Sequence, residues 1–376
     1  MLKYRYRSRY EGQSLGQEAL PRRPNRTSQG PRLHHQQEEP AQQAAPGLDG
    51  DARRIRLAAV REEIAEAQSA LSASGVDGTV AAVERLKGQS HISLRVDRVD
   101  AAPVALRIET QHGILPPYDL PSEARLLRLL RRAGIPVPEV LGVCADLEPS
   151  ADRGRGCLAL GWVEGEVMIT QRVEPDTARA YCETLRRIHA LDWRAAGLDW
   201  LPLPPDSAPA LRERGEIMDR LTAFGVADLP HISRLRRALK DRVPESPLPM
   251  LVHGDVNFGN VILRQGNPPR VAAVLDWEQT HLGDPLSDWG RLAAEDLLGN
   301  LDLTVEARQV MQEALQRYGR SDHDLHYWTL HQLYNHSSAT GALTVLRGWD
   351  VDQIAAMYAE PTERLLSSDE PIRFCA

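Results

Sequence analysis

The sequence predicts an α+β protein of two lobes, a small antiparallel-sheet lobe followed by a larger helical one with a cleft between. Three observations predict it. Strand-like runs crowd between about residues 80 and 163, and helical periodicity dominates from about residue 165. The helical stretch is broken by a loop and hairpin over residues 251–277. The chain has 376 residues, 42% hydrophobic and 26% charged, which is enough to bury a core in each lobe.

Residues 1–55 are rich in Arg, Gln, Pro, Gly and Ser and hold few branched apolar side chains. Such a stretch buries too little surface to offset its ordering entropy, so a disordered extension is expected. A basic arm or transit peptide is the alternative, but Glu11 and Glu18 appear early for one. The small lobe is expected over 56–163 and the large one over 164–376.

An amphipathic helix is expected over residues 54–73, with Ile55, Leu57, Val60, Ile64 and Leu71 as apolar positions and Gly75 as its stop. Three alternating runs follow, Val80–Leu86, Ile92–Val99 and Pro103–Ile108, and read as an antiparallel meander. Asp119-Leu120-Pro121 opens a helix that Gly134 closes. Val140–Cys144 and Cys157–Val163 read as two further strands. Asp176–Leu191 has helical period, with Ala180, Leu185 and Ile188 inward. VILR, QGNPP and VAAVLDW form the hairpin, and helices are expected at about 285–298, 304–318, 322–346 and 351–366.

Composition narrows the function classes. The formal net charge is -7, against the usual basic character of a general nucleic-acid binder. No apolar run reaches the roughly 18 residues of a membrane span. MLKYRYRSRY is basic but lacks the apolar region of a secretory signal. Cys144, Cys157, Cys182 and Cys375 show no CxxC pair, so incidental or buried thiols in a reducing cytoplasm are expected.

The most informative stretch is Leu251-Val-His-Gly-Asp-Val-Asn-Phe-Gly-Asn260. It sets His253, Asp255 and Asn260 as H-x-D-x-x-x-x-N, the spacing of a kinase catalytic loop. Phosphoryl transfer needs a carboxylate to receive the proton of the attacking hydroxyl, the role of Asp255. It also needs a second side chain further along the loop to reach a phosphate-bridging metal, the role of Asn260. His253 is read as a brace for the loop. Val274-Leu275-Asp276-Trp277-Glu278 then supplies an acid at the end of an apolar strand, where kinases place their second metal ligand in the form D-F-G. Asp276 is therefore the second magnesium ligand, and Glu278 is structural or touches substrate. Asp284 reads as a helix cap and Asp288 as a partner of the catalytic loop, both structural.

HGDVNFGNVIL followed by VLDWEQTHLGDPLSDWGRLA resembles the aminoglycoside phosphotransferase and choline kinase-like superfamily. It is most similar to the branch fused or related to acyl-CoA dehydrogenases. The resemblance extends to Leu86-Lys-Gly-Gln-Ser-His91, Val104-Ala-Leu-Arg-Ile108, the helix bearing Glu123, GIPVPEVLGV, GWVEG and Arg187-Ile-His-Ala-Leu-Asp-Trp193, and so covers roughly residues 80–365. It implies a protein-kinase-like fold and transfer of the γ-phosphoryl of MgATP to a small-molecule hydroxyl. Gly88 and Ser90 would cover the ATP phosphates. Arg107 would take the place of the usual phosphate-binding lysine with Glu123 as its helix partner, and Leu160 to Trp162 would line the adenine hinge. Arg107, and Trp277-Glu278 in place of Phe-Gly, depart from the general kinase pattern.

The acceptor stays open between an aminoglycoside-like antibiotic and a hydroxylated metabolite or hydroxyacyl thioester. Glu295, Asp296, Asp322, Asp324, His331, Tyr334, Asn335, His336 and Trp349 are the residues offered for its site. His331, Tyr334 and Asn335 share one helix face, read as water-facing rather than as a pocket wall. A nucleotide-binding pseudokinase or regulatory protein is the alternative function. Oligomeric state is left open.

Overall fold

The computed structural model describes residues 48–86, 91–110, 119–149, 153–168, 171–201, 226, 228–241, 244, 249–348, 350–368 and 370–374. The chain divides into Met1–Val60 and a compact unit Arg61–Ala376. Of the first, only the opening turns of helix α1 (Leu48–Ala73) are described, so most of the extension expected over 1–55 lies outside the described residues. The helix begins earlier than residue 54, and Val60, read as apolar and inward, is 51% exposed. Leu71 is fully buried, and the burial settles on Ala67, Ala70 and Leu71 near the C-terminal end of the helix.

A five-stranded sheet follows in the order β1-β2-β3-β5-β4, built from Val80–Arg85, His91–Arg98, Ala101–Thr110, Val140–Cys144 (β4) and Arg153–Gly161 (β5). All its pairings are antiparallel. Alternation sorts its side chains between two faces. Val104, Leu106, Ile108 and Cys157 pack with Ala67, Ala70 and Leu71 of α1. Leu158 and Leu160 pack on the other face with Leu127 and Leu130 of α2 (Leu120–Arg132). Arg107 alternates onto this second face, which is why it can reach α2. Asp119 caps α2 by accepting from Ser122 N at 2.9 Å, and Gly134 ends it at φ 79.

The larger lobe holds α3 (Pro175–His189), α4 (Pro230–Asp241), α5 (Leu286–Leu297), α6 (Val305–Gln316), α7 (Asp322–Leu346) and α8 (Val351–Ser367). Leu185 and Ile188 of α3 are buried as their period indicates, but Ala178 and Tyr181 take the inward place that Ala180 was given. Helix α4 was passed over although its period is amphipathic, and the short pair β7 (Met250–Val252) with β10 (His281–Gly283) was not legible in the sequence, since three-residue strands carry no period. The hairpin is present as β8 (Val261–Arg264) and β9 (Arg270–Val274), with β6 (Glu166–Val167) added to its edge. His331, Tyr334 and Asn335 do not face water: all three are buried, at 3%, 5% and 5% exposure, inside the helical core. Their shared face is right and its direction reversed, because α7 is covered by neighbouring helices. At its crossing with α5 the backbones meet at Gly290, where a Cβ would lie 2.5 Å from the Trp328 carbonyl.

Among the described residues no helix is long and apolar enough to cross a membrane. Cys157 and Cys182 are buried, Cys144 is half-buried, and all three are free thiols.

Candidate active site

The loop after β7 carries His253, Asp255 and Asn260, and its shape is fixed by buried hydrogen bonds. Asp288, in the first turn of α5 and fully buried, accepts from His253 N at 3.0 Å and Gly254 N at 2.8 Å. It also contacts His189 Nε2 at 2.9 Å, and His189 Nδ1 meets the Tyr318 hydroxyl at 2.6 Å. Burial pushes the Asp288 carboxyl up. The hydrogen bond and charge of His189, then His253 and the Gly254 N–H, more than reverse this and leave it below the ordinary aspartate value. Gly254 sits at φ 86, a left-handed conformation that suits glycine.

His253 is 1% exposed and lies edge-on to Trp277, with ring centroids 4.6 Å apart. Its Nε2 is 2.9 Å from the Leu275 carbonyl, which can only accept, so Nε2 carries the proton. Nδ1 is then free to accept from Asp255 N at 3.3 Å. Burial lowers its pKa and keeps the ring neutral, so it ties the loop after β7 to the hairpin without carrying charge.

Asp255 and Asn260 touch. Asn260 Nδ2 donates to the Asp255 carbonyl at 2.9 Å and to Asp255 Oδ2 at 3.1 Å. The turn Phe258–Asn260 that allows this is capped by Asn257, whose Oδ1 accepts from Asn260 N at 3.0 Å. With its amide nitrogen committed to Asp255, Asn260 keeps its Oδ1 as an acceptor. The β8–β9 register, Val261 opposite Val274, then brings Asp276 to the same end of the hairpin as Asn260. Leu275 N donates to Asn260 O at 2.8 Å and locks that juxtaposition. Asp276 lies beyond the last strand residue rather than at the strand end, in a left-handed conformation at φ 63.

Arg107 reaches this point from β3. It pairs with Glu123 of α2, and its Nη2 lies 3.5 Å from both Asp276 Oδ1 and Glu278 Oε2. Glu278 also meets His91 Nε2 at 3.3 Å. Burial raises the Asp276 pKa, Glu278 raises it further and Arg107 opposes, which leaves the carboxyl pushed up to about 8. One guanidinium thus serves three carboxyl groups, of which Asp276 is the most exposed, with its side chain 35% exposed. Among the described residues no three His, Cys, Asp or Glu side chains form a metal cage. A magnesium ion in a nucleotide site takes one or two protein ligands plus phosphate oxygens, and the Asn260 and Asp276 oxygens fit that demand.

Leu160 is buried opposite Ala105, and Trp162 follows the end of β5 half-buried beneath Arg95, whose guanidinium carbon stands 4.6 Å from the ring centroid. Gly88, Ser90 and Trp349 lie outside the described residues. Of the residues offered for the acceptor, Asp296 pairs with Arg308, Asp322 with Arg373, and Asp324 with Arg320. Asp324 also completes the α7 cap with Ser321. Asp284 accepts from Leu286 N at 2.9 Å and pairs with Arg320 at 3.0 Å, holding the start of α5.

Sequence reasoning passed over Arg291. Its Nη2 lies 3.2 Å from Asp255 Oδ1 and 3.0 Å from Glu295 Oε1. The signal was available, since residue 291 is three after Asp288 and therefore shares the helix face that meets the loop. Glu295 in turn accepts from Asn300 Nδ2 at 2.7 Å and lies 3.8 Å from His336 Nε2, so Arg291 links Glu295 to Asp255.

A small antiparallel sheet followed by a larger helical lobe is the two-lobed arrangement of a kinase-like fold. The chain belongs to the phosphotransferase enzyme family, whose profile matches residues 82–327. Acyl-CoA dehydrogenase family member 10 of Mus musculus is 30% identical over 209 residues, which make up 54% of this chain and 19% of that protein. Family member 11 of Gallus gallus is 30% identical over 186 residues, 47% of this chain and 23% of that protein. The match therefore spans about a fifth of the length of these relatives. Among solved structures, a putative aminoglycoside phosphotransferase from Ralstonia eutropha aligns at TM-score 0.58 and 20% identity, covering 82% of this chain and 99% of that one. An AMP-bound spectinomycin phosphotransferase aligns at TM-score 0.55 and 15% identity, covering 82% and 99%.

Proposed function

We propose that the protein transfers the γ-phosphoryl group of MgATP to a hydroxyl of a small molecule, with Asp255 as the base and Asn260 and Asp276 as magnesium ligands. The observation that carries this reading is the contact of Asp255 with Asn260 at the hairpin end that also presents Asp276. The ion, when bound, neutralises charge on the phosphates. The acceptor oxygen attacks the γ-phosphorus, the bond to the ADP oxygen breaks, and Asp255 receives the hydroxyl proton. Asp255 chiefly orients that hydroxyl, because a loose transition state asks more for positioning than for deprotonation.

Arg107 would bind phosphate through its fork, held by Glu123 as the helix partner. Gly88 and Ser90 would cover the phosphates, and Leu160 to Trp162 would line the adenine, with the lobes meeting near residue 163. The acceptor is an aminoglycoside-like antibiotic or a hydroxylated metabolite such as a hydroxyacyl thioester.

The test is ADP release from MgATP against aminoglycosides, macrolides, amino alcohols and hydroxyacyl thioesters, beside Asp255→Ala. Acceptor-dependent release that vanishes in the variant, with a product heavier by roughly 80 Da, supports the reading. A gain of roughly 329 Da would instead mean adenylyl transfer from the α-phosphate. The second reading, a nucleotide-binding protein without turnover, draws on Arg107 at the usual lysine position. It predicts MgATP binding with no acceptor-stimulated ADP release.

A further inference from the structure

We propose that Arg291 is a positioning residue for Asp255, and that Glu295 is the anchor that holds Arg291 in place. The inference rests on the reading of Asp255 as the base. Its geometric ground is that the two carboxylate oxygens of Asp255 are held from opposite partners. Oδ2 accepts from Asn260 Nδ2 at 3.1 Å, and Oδ1 faces Arg291 Nη2 at 3.2 Å. A carboxylate gripped at both oxygens cannot rotate about its Cβ–Cγ bond without losing one of them. Each oxygen still has lone pairs to offer a hydroxyl.

Arg291 is itself clamped. Glu295, one helical turn further along α5, takes the same Nη2 at 3.0 Å, and the two side chains are 14% and 9% exposed. Glu295 is fixed in turn by Asn300 and lies near His336, whose Nδ1 contacts the Tyr358 hydroxyl at 2.8 Å. The Oδ1 side of Asp255 is therefore held from α5, α7 and α8, outside the loop, while Asn260 holds Oδ2 from within it. The pair also explains why a carboxylate as buried as Glu295 is tolerated, since burying it unpaired would be costly.

Two variants separate positioning from packing. Arg291→Met with Glu295→Gln removes both charges together and leaves no unpaired buried carboxylate. Arg291→Lys keeps the charge and loses the fork. The readout is kcat and KM for MgATP from ADP release, with water as the acceptor in the absence of an added hydroxyl compound. A crystal structure of the double variant reads the same property without turnover. The expected result is a fall in kcat of about a hundredfold with KM for MgATP within about twofold, and recovery of at least about tenfold in Arg291→Lys. In the crystal the Asp255 carboxylate should be rotated about Cβ–Cγ from its present orientation, with Oδ1 displaced.

An unmoved Asp255 carboxylate in the double variant overturns the inference. So does a kcat within about twofold of the parent, or parallel losses of kcat and nucleotide affinity that lysine does not restore. Asp255→Asn distinguishes the levels. If it retains turnover, the base assignment fails and this inference with it. If it abolishes turnover while the double variant behaves as the parent, only the role of Arg291 fails.

Discussion

Replacing Asp288 with asparagine tests whether the loop bearing His253 and Gly254 is held by charge-assisted hydrogen bonds or only by packing. The carboxylate takes three donors, His253 N and His189 Nε2 on Oδ2 and Gly254 N on Oδ1. Asparagine fits the same volume. Its single oxygen, turned to the Oδ2 position, would keep two donors, and its NH2 would then face the Gly254 N–H. One buried N–H is stranded against another donor, at about 1–3 kcal/mol, and the two remaining bonds lose their ionic acceptor at about 1 kcal/mol. The sum is about 2–4 kcal/mol, a large share of an ordinary domain's stability. Urea unfolding would show it as a midpoint shift of about 1 M at an ordinary slope for denaturation. The loop should loosen as well, so ADP release should fall even where the variant is folded. A change below about 0.5 kcal/mol would refute the hydrogen-bond account, because a surface substitution does no more than that.

Asp276, pushed up to about 8, retains in the folded state a proton that the unfolded chain loses near 3.8, so the stability it contributes is lost as pH rises through about 8. Magnesium should therefore raise the melting temperature more at pH 8.5 than at pH 6, and Asp276→Asn should remove that difference; equal gains at both pH values would count against a metal role. His336 is pushed down to about 4, chiefly by burial and then by Arg291, so the unfolded chain binds its proton first as pH falls from 6.5. Acidification across that window should cost about 3 kcal/mol of stability through this residue, and His336→Gln should flatten the urea midpoint between pH 6.5 and 4. Gly290→Ala would push a methyl to 2.5 Å from the Trp328 carbonyl, so the α5–α7 contact must open. Overpacking at about 1–3 kcal/mol should outweigh the gain of about 1 kcal/mol in helix propensity, and thermal melting should show a net loss.

The contact between Asp255 and Asn260 was legible because the H-x-D-x-x-x-x-N spacing keeps the two side chains within one short loop. Asp255 and Asn260 had to lie one turn apart in the loop to touch, and the hairpin length set Asp276 beside them. The small-lobe strands were legible because alternation survives where one sheet face differs from the other; the bounds of β4 coincide with the run Val140–Cys144. What failed, failed where tertiary contact decides. Val60 has the period of a buried position but is 51% exposed, since burial begins further along the helix. His331, Tyr334 and Asn335 carry polar atoms that suggest solvent, yet α7 lies between other helices, and periodicity cannot say what covers a face. Strands β7 and β10 are visible only as partners of each other.

Glu278 illustrates a different limit. Read alone, it is an acid two residues after a metal-ligand candidate, with nothing in its neighbours to fix a role. The fold brings Arg107 to it from a strand more than a hundred residues away in sequence, and His91 from the next strand over. The guanidinium then answers to Glu123, Asp276 and Glu278 together, and a single positive charge is not enough to keep all three ionised, so Asp276 keeps its proton up to about 8. That imbalance gives physical content to the departure at position 107. A lysine ammonium is a compact point charge, whereas the arginine fork can bridge α2 to the hairpin while two acids share one of its nitrogens. Arg107→Lys is therefore not a conservative change here. Lysine would have to choose between the helix and the hairpin, leaving either Glu123 or the Asp276–Glu278 pair without its guanidinium.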